Sequence, residues 1–140
     1  MRLGSGVSAL LCLVGSAAAA ESAVDIDRSV YIERRDDGVR ALEPATTLKK
    51  GDKVVLVLEW RAPGPGRGFT VESAVPRPLA FQRAGSDAVE VSTDNGRNWG
   101  RLGNLRIGQR IASAEDVTHL RLRVPASTPA GRMTYSAIVR

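Results

Sequence analysis

An all-β domain is predicted from three features of this 140-residue chain. Apolar and polar residues alternate with a period of two over many short stretches, and turn-forming residues recur about every ten positions. No window sustains an apolar stripe of helical period. About eight or nine short strands in one domain predict a single β-sandwich of the immunoglobulin-like kind.

The chain opens with Met1-Arg2, a mostly apolar stretch from Leu3 to Val14, and the small residues Ser16-Ala17-Ala18-Ala19-Ala20 before Glu21. That layout predicts a secretory signal peptide over 1–20, cleaved after Ala20, and a domain over 21–140 in the periplasm or outside the cell. The apolar run of about a dozen residues is short of the roughly 20 that cross a bilayer, so no stable membrane span is expected after cleavage. Cys12 lies inside that run with Leu11 before it, where a lipidation signal needs a small residue. A lipid anchor is therefore not expected.

Cleavage there leaves 120 residues with no cysteine, and nineteen basic against fifteen acidic side chains, a net charge of +4. With no disulfide available, stability rests on one hydrophobic core, which a chain of this length can build. Seventeen of the twenty basic residues are arginine, but they are spread along the chain. Without a basic cluster, and with export expected, nucleic acid is not an expected partner. An envelope protein or an acidic glycan is.

The strands follow in order. Residues 29–34 and 39–42 flank Asp36-Asp37-Gly38 and read as a hairpin. Lys50-Gly51-Asp52 is the next turn, and Val54 to Trp60 is so continuously apolar that it reads as a central strand covered on both faces. The segment 62–68, rich in Gly and Pro, breaks regular structure. Phe69 to Ala74 alternates, Pro76-Arg77-Pro78 ends that strand, and Leu79 begins a short one. Gly85-Ser86-Asp87 is a turn before a strand over 88–92, and Trp99 to Ile107 is read as the strand after the next turn. Residues 117–124 put Thr118, Leu120, Leu122 and Val124 on one face and His119, Arg121 and Arg123 on the other, which is expected to be wet. After the loop 125–131, a last strand carries Met133, Tyr135, Ala137 and Val139 on one side.

Catalytic and metal chemistry find little support. Nucleophilic catalysis needs a nucleophile, a base and an orienting group, yet the one histidine, His119, falls in the polar register beside two arginines. Ser86 lacks the Gly-x-Ser-x-Gly elbow. Asp25-x-Asp27-x-Ser29 begins like a calcium loop but has Val30 where the sharp turn requires Gly. One histidine without cysteine does not make a usual zinc site, and no carboxylate pair is singled out for glycoside hydrolysis. No cofactor, metal site or catalytic residue is expected, and the chain is read as not an enzyme.

Two resemblances add to this. Ser92-Thr93-Asp94-Asn95-Gly96-Arg97-Asn98-Trp99 resembles the Asp-box hairpin of sialidase-type β-propellers, which implies structural roles for Ser92, Asp94, Gly96 and Trp99. A propeller repeats that hairpin in each blade, whereas here it occurs once. Lys50-Gly51-Asp52 with its apolar strand, Phe69 to Pro76, and Gly131-Arg132-Met133-Thr134-Tyr135 together resemble the conserved bacterial repeat domain of unknown function numbered eleven in that series. The likeness covers roughly residues 48–140. Trp60-Arg61 stands where that family often has Asn, and Ser73-Ala74-Val75 where it has Asp before its proline, so roles of those polar residues do not carry over.

The resemblance implies a stand-alone exported member, and the expected function is a noncatalytic structural or interaction module of the envelope. The alternative is a carbohydrate-binding or carbohydrate-active protein with Trp60 and Trp99 as stacking platforms. If the module binds, the expected contact face is His119, Arg121 and Arg123 with Arg67 of the neighbouring loop.

Overall fold

The first two strands, β1 (Asp25–Asp36) and β2 (Val39–Pro44), form an antiparallel hairpin. Asp37 and Gly38 make its two-residue turn with φ of 47° and 79°, the left-handed pair that matches strand twist. This computed structural model describes residues 24–62 and 67–140. The expected leader, Cys12 included, and residues 63–66 of the Gly/Pro segment lie outside them.

Among the described residues, a five-stranded antiparallel sheet runs in the order β2-β1-β3-β10-β5, with β3 at Lys53–Arg61, β5 at Leu79–Ala84 and β10 at Ala130–Val139. A three-stranded sheet has the order β4-β9-β6, from Phe69–Ala74, His119–Val124 and Glu90–Ser92. Two two-residue strands, β7 (Arg106–Ile107) and β8 (Arg110–Ile111), form a separate ribbon. The chain is all-β, and no described helix is long and apolar enough to cross a membrane.

Period-two alternation sends one face of each sheet into a shared core. Val54, Leu56, Leu58 and Trp60 of β3 and Met133, Tyr135 and Ala137 of β10 join Val71, Val91, Leu120 and Val124 of the smaller sheet in a single buried cluster. β3 is central, but only Val54, Val55 and Leu56 are buried in succession; Glu59 is exposed. On the outward face Val55 is flanked in register by Tyr31 and the buried Ser136, which explains its burial without a further layer. Gly131 lies where a Cβ would come within 2.7 Å of the Trp60 ring, so β10 approaches β3 there only because it carries no side chain.

The segment read as a strand over 99–107 is not one. Gly100 makes a single bridge to Val91, Leu102–Asn104 is a 3-10 turn, and the ribbon follows. Trp99, Leu102 and Leu105 are three apart, not two, and Gly100 and Gly103 interrupt them. Leu102 and Leu105 instead pack at the margin of the core.

Candidate functional site

Asp94 organises the turn after β6. Its Oδ1 accepts from the Ser92 hydroxyl at 2.8 Å and from the amides of Arg97 and Asn98 at 3.1 and 2.8 Å, while Oδ2 accepts from Asn98 Nδ2 at 2.6 Å. The Ser92 hydroxyl in turn accepts from the Gly96 amide at 2.9 Å and the Asp94 amide at 3.3 Å. These bonds to its charged form, that from the Asn98 side chain foremost, hold the Asp94 carboxyl down to about 2. Asn95 and Gly96 both take positive φ, 60° and 86°.

The turn folds onto the outward face of the three-stranded sheet. Ser92 is wholly buried beneath it. The Asn95 amide donates to the Thr118 hydroxyl at 3.0 Å, and both the Thr118 amide and its hydroxyl donate to the Ser92 carbonyl, at 2.8 and 3.2 Å. A Cβ on Gly96 would stand 3.3 Å from Trp99 Cζ2 and 3.4 Å from Glu72 Oε1, so the half-buried indole lies against its own turn. One face of that indole is occupied by Arg121, whose guanidinium carbon is 4.6 Å from the ring centroid.

The four basic residues expected to share a face are distributed differently. Arg121 is engaged: Nε and Nη2 each donate to Glu90 at 3.3 Å, and its side chain is only 21% exposed. Arg123 is 72% exposed and 3.8 Å from the same carboxylate. Glu90 lies opposite Arg121 in register, so it offsets charge where the sequence alone suggested an unbroken basic stripe. Arg67 is exposed before β4, whose first residue Phe69 pairs with Val124, at the end of the sheet away from His119.

His119 belongs to another group. With Arg77, Arg140, Asn95, Thr118 and Glu115 it lines an open depression of about 550 Å³ at the end of the sheet beside the turn. His119 Nδ1 lies 3.0 Å from the Thr118 hydroxyl, within hydrogen-bond reach. Arg140 donates from Nε to the Leu79 carbonyl at 3.4 Å and from Nη2 to the Glu115 carbonyl at 3.2 Å. Neutral carbonyls fix a guanidinium without cancelling its charge. Neither Arg77 nor Arg140 has a carboxylate within 4 Å among the described residues. Sequence reasoning missed Arg77 and Arg140, since nothing local to a Pro-flanked loop or to the last strand announces that they meet His119.

Two carboxylates also meet. Asp27 lies opposite Glu59 across β1 and β3, but Arg132 flanks Glu59 on β10, and Asp25 faces Arg61. The arrangement is an exposed ladder of mixed charge on the outer sheet face. Trp60 is 3% exposed and packs edge-on to Phe69 at 6.4 Å. Comparison with protein-family models, with curated proteins and with solved structures finds no match to this chain.

Proposed function

We propose that this chain is an exported, noncatalytic interaction module of the cell envelope, folded as an immunoglobulin-like sandwich of the kind its likeness to the conserved repeat domain implies. It contacts an acidic partner through the depression that gathers His119, Arg77 and Arg140, with Arg123 and Arg67 at greater distance. The observation that carries this reading is the anchoring of Arg140 by two backbone carbonyls, which leaves its charge free to act on a partner. A preplaced cation loses little side-chain freedom on binding, and adjacent cations steer an acidic surface toward it. The carbohydrate-binding alternative is less well supported, because Trp60 is buried and one face of Trp99 is taken by Arg121.

Export and binding are tested on the same material. The protein recovered from the periplasm is expected to begin at Glu21 by intact mass and to be retained on envelope fractions at low salt, less so at moderate salt. A species that keeps Met1 or carries lipid on Cys12 argues against the export reading, and retention indifferent to salt argues against the acidic partner.

A further inference from the structure

A depression of about 390 Å³ lies on the outward face of the five-stranded sheet. Arg40 and Arg83 both line it, although β2 and β5, which carry them, are the two outermost strands of that sheet. Val55, Thr134 and Ser136, from the strands between, share the outward register and complete the side-chain lining. Among the described residues no carboxylate lines the depression.

Each arginine is placed there by a separate device. Period-two alternation from the buried Leu79 and Phe81 would turn Arg83 inward. Instead the β5–β10 register shifts: Phe81 pairs with Ala137 and Arg83 with Ser136, so Gln82 is an extra residue in β5. A bulge of this kind re-aims the side chains beside it. Here it puts Arg83 on the outward face, exposed, with no carboxylate within 4 Å among the described residues. Arg40 is steadied by Glu33, whose side chain is 4% exposed and whose carboxylate lies 3.1 Å from Arg40 Nη2 and 3.4 Å from Lys53 Nζ. Half of the Arg40 side chain stays exposed. With Arg83, three cations stand against the one buried carboxylate, an excess of two positive charges.

We propose that this depression binds the dianionic phosphate group of a small phosphate monoester, held by Arg40 and Arg83 with the Thr134 hydroxyl as a further donor. The guanidinium fork matches phosphate oxygens two at a time. Glu33 keeps Arg40 in place, so less side-chain freedom is lost on binding. The two surplus charges match a dianion better than a carboxylate. The volume falls in the range of small-ligand sites. None of these residues lines the depression at His119, so the site extends the function beyond contact with an acidic partner.

Methyl phosphate and acetate are the probes, titrated at neutral pH and constant ionic strength into the isotope-labelled mature chain while amide shifts are followed. Methyl phosphate is expected to saturate, with the largest changes at residues 40, 55, 83–85 and 134–136, and acetate to bind more weakly. Arg83→Gln and Arg40→Gln are each expected to weaken methyl phosphate roughly three- to tenfold, the size of a charged hydrogen bond partly screened by water. Arg106→Gln, which removes the same charge from the exposed ribbon, is expected to leave the affinity unchanged. Acidification to about pH 5, where the ester is largely a monoanion, is expected to weaken binding as well. Arg83 is exposed and unpaired, so its variant folds and keeps the test valid even if loss of Arg40 disturbs Glu33. No saturation by methyl phosphate, largest shifts at residues 77, 119 and 140, equal affinity for acetate, or affinity unchanged by Arg83→Gln would overturn the proposal.

Discussion

The guanidinium of Arg121 lies against the ring of Trp99, 4.6 Å from its centroid, and the same guanidinium is held by Glu90 across the β6–β9 pair. Three residues from separate stretches thereby tie the turn to the sheet beneath it. A cation over an indole contributes about 0.5–2 kcal/mol depending on how far it is desolvated. Arg121 thus serves the fold, and the charge available to a partner lies with Arg77, Arg140 and the exposed Arg123.

Gly96→Val is expected to destabilise the domain by about 1–3 kcal/mol, since a β-branched residue cannot adopt φ of 86° without strain and its Cβ would press on Trp99. Chemical denaturation of parent and variant checks this. Equal midpoints would show that the turn does not hold Gly96 in that conformation.

Acid should loosen the same turn. The Asp94 carboxyl is lowered from 3.8 to about 2 by the bonds that its ionised form accepts from Asn98 and Ser92. A carboxyl depressed in the folded state stabilises above its unfolded value, and that contribution is lost as pH falls through the folded one. The thermal midpoint is therefore expected to drop between about pH 4 and pH 2. Asp94→Asn should start lower and depend less on pH over that window. Some slope will persist, because Arg110 holds the Asp116 carboxyl well below the usual carboxylate range. Parallel profiles for parent and variant would contradict the assignment to Asp94.

Tyr135→Phe is expected to change the stability of the domain by no more than about 1 kcal/mol, because the buried hydroxyl makes no well-formed hydrogen bond and has only Ser73 beside it. A thermal melt at neutral pH measures it. A larger loss of stability would mean that the hydroxyl is firmly hydrogen-bonded in the folded protein.

Much of the fold was legible because alternation speaks for itself where one strand face meets a core. Leu120 and Val124 are buried while Arg123 is exposed, and Met133, Tyr135 and Ala137 are buried on one side of β10, as period two requires. The turn around Asp94 was legible for a different reason: the bonds to the Asp94 carboxylate and the Ser92 hydroxyl run between residues at most four apart. Pairings between distant strands were not, since nothing local to β10 says that it lies between β3 and β5. The gathering of Arg77, His119 and Arg140 depends on those distant pairings, and the opposition of Glu90 to Arg121 depends on a register that is set elsewhere in the sheet.

Equilibrium binding of the mature chain to immobilised polyglutamate, at low and moderate salt, bears most directly on the proposed contact. Arg77→Ser/Arg140→Ser should lose most of the binding and most of its salt dependence, because close charge contacts between partners give way as salt screens them over about 8–10 Å. Arg121→Ser/Arg123→Ser should lose stability through the freed Trp99 and Glu90 yet retain most of the binding, with folded protein confirmed by its melt. Equal binding by the parent and by the Arg77→Ser/Arg140→Ser protein at both salt concentrations would contradict an acidic partner at His119, Arg77 and Arg140.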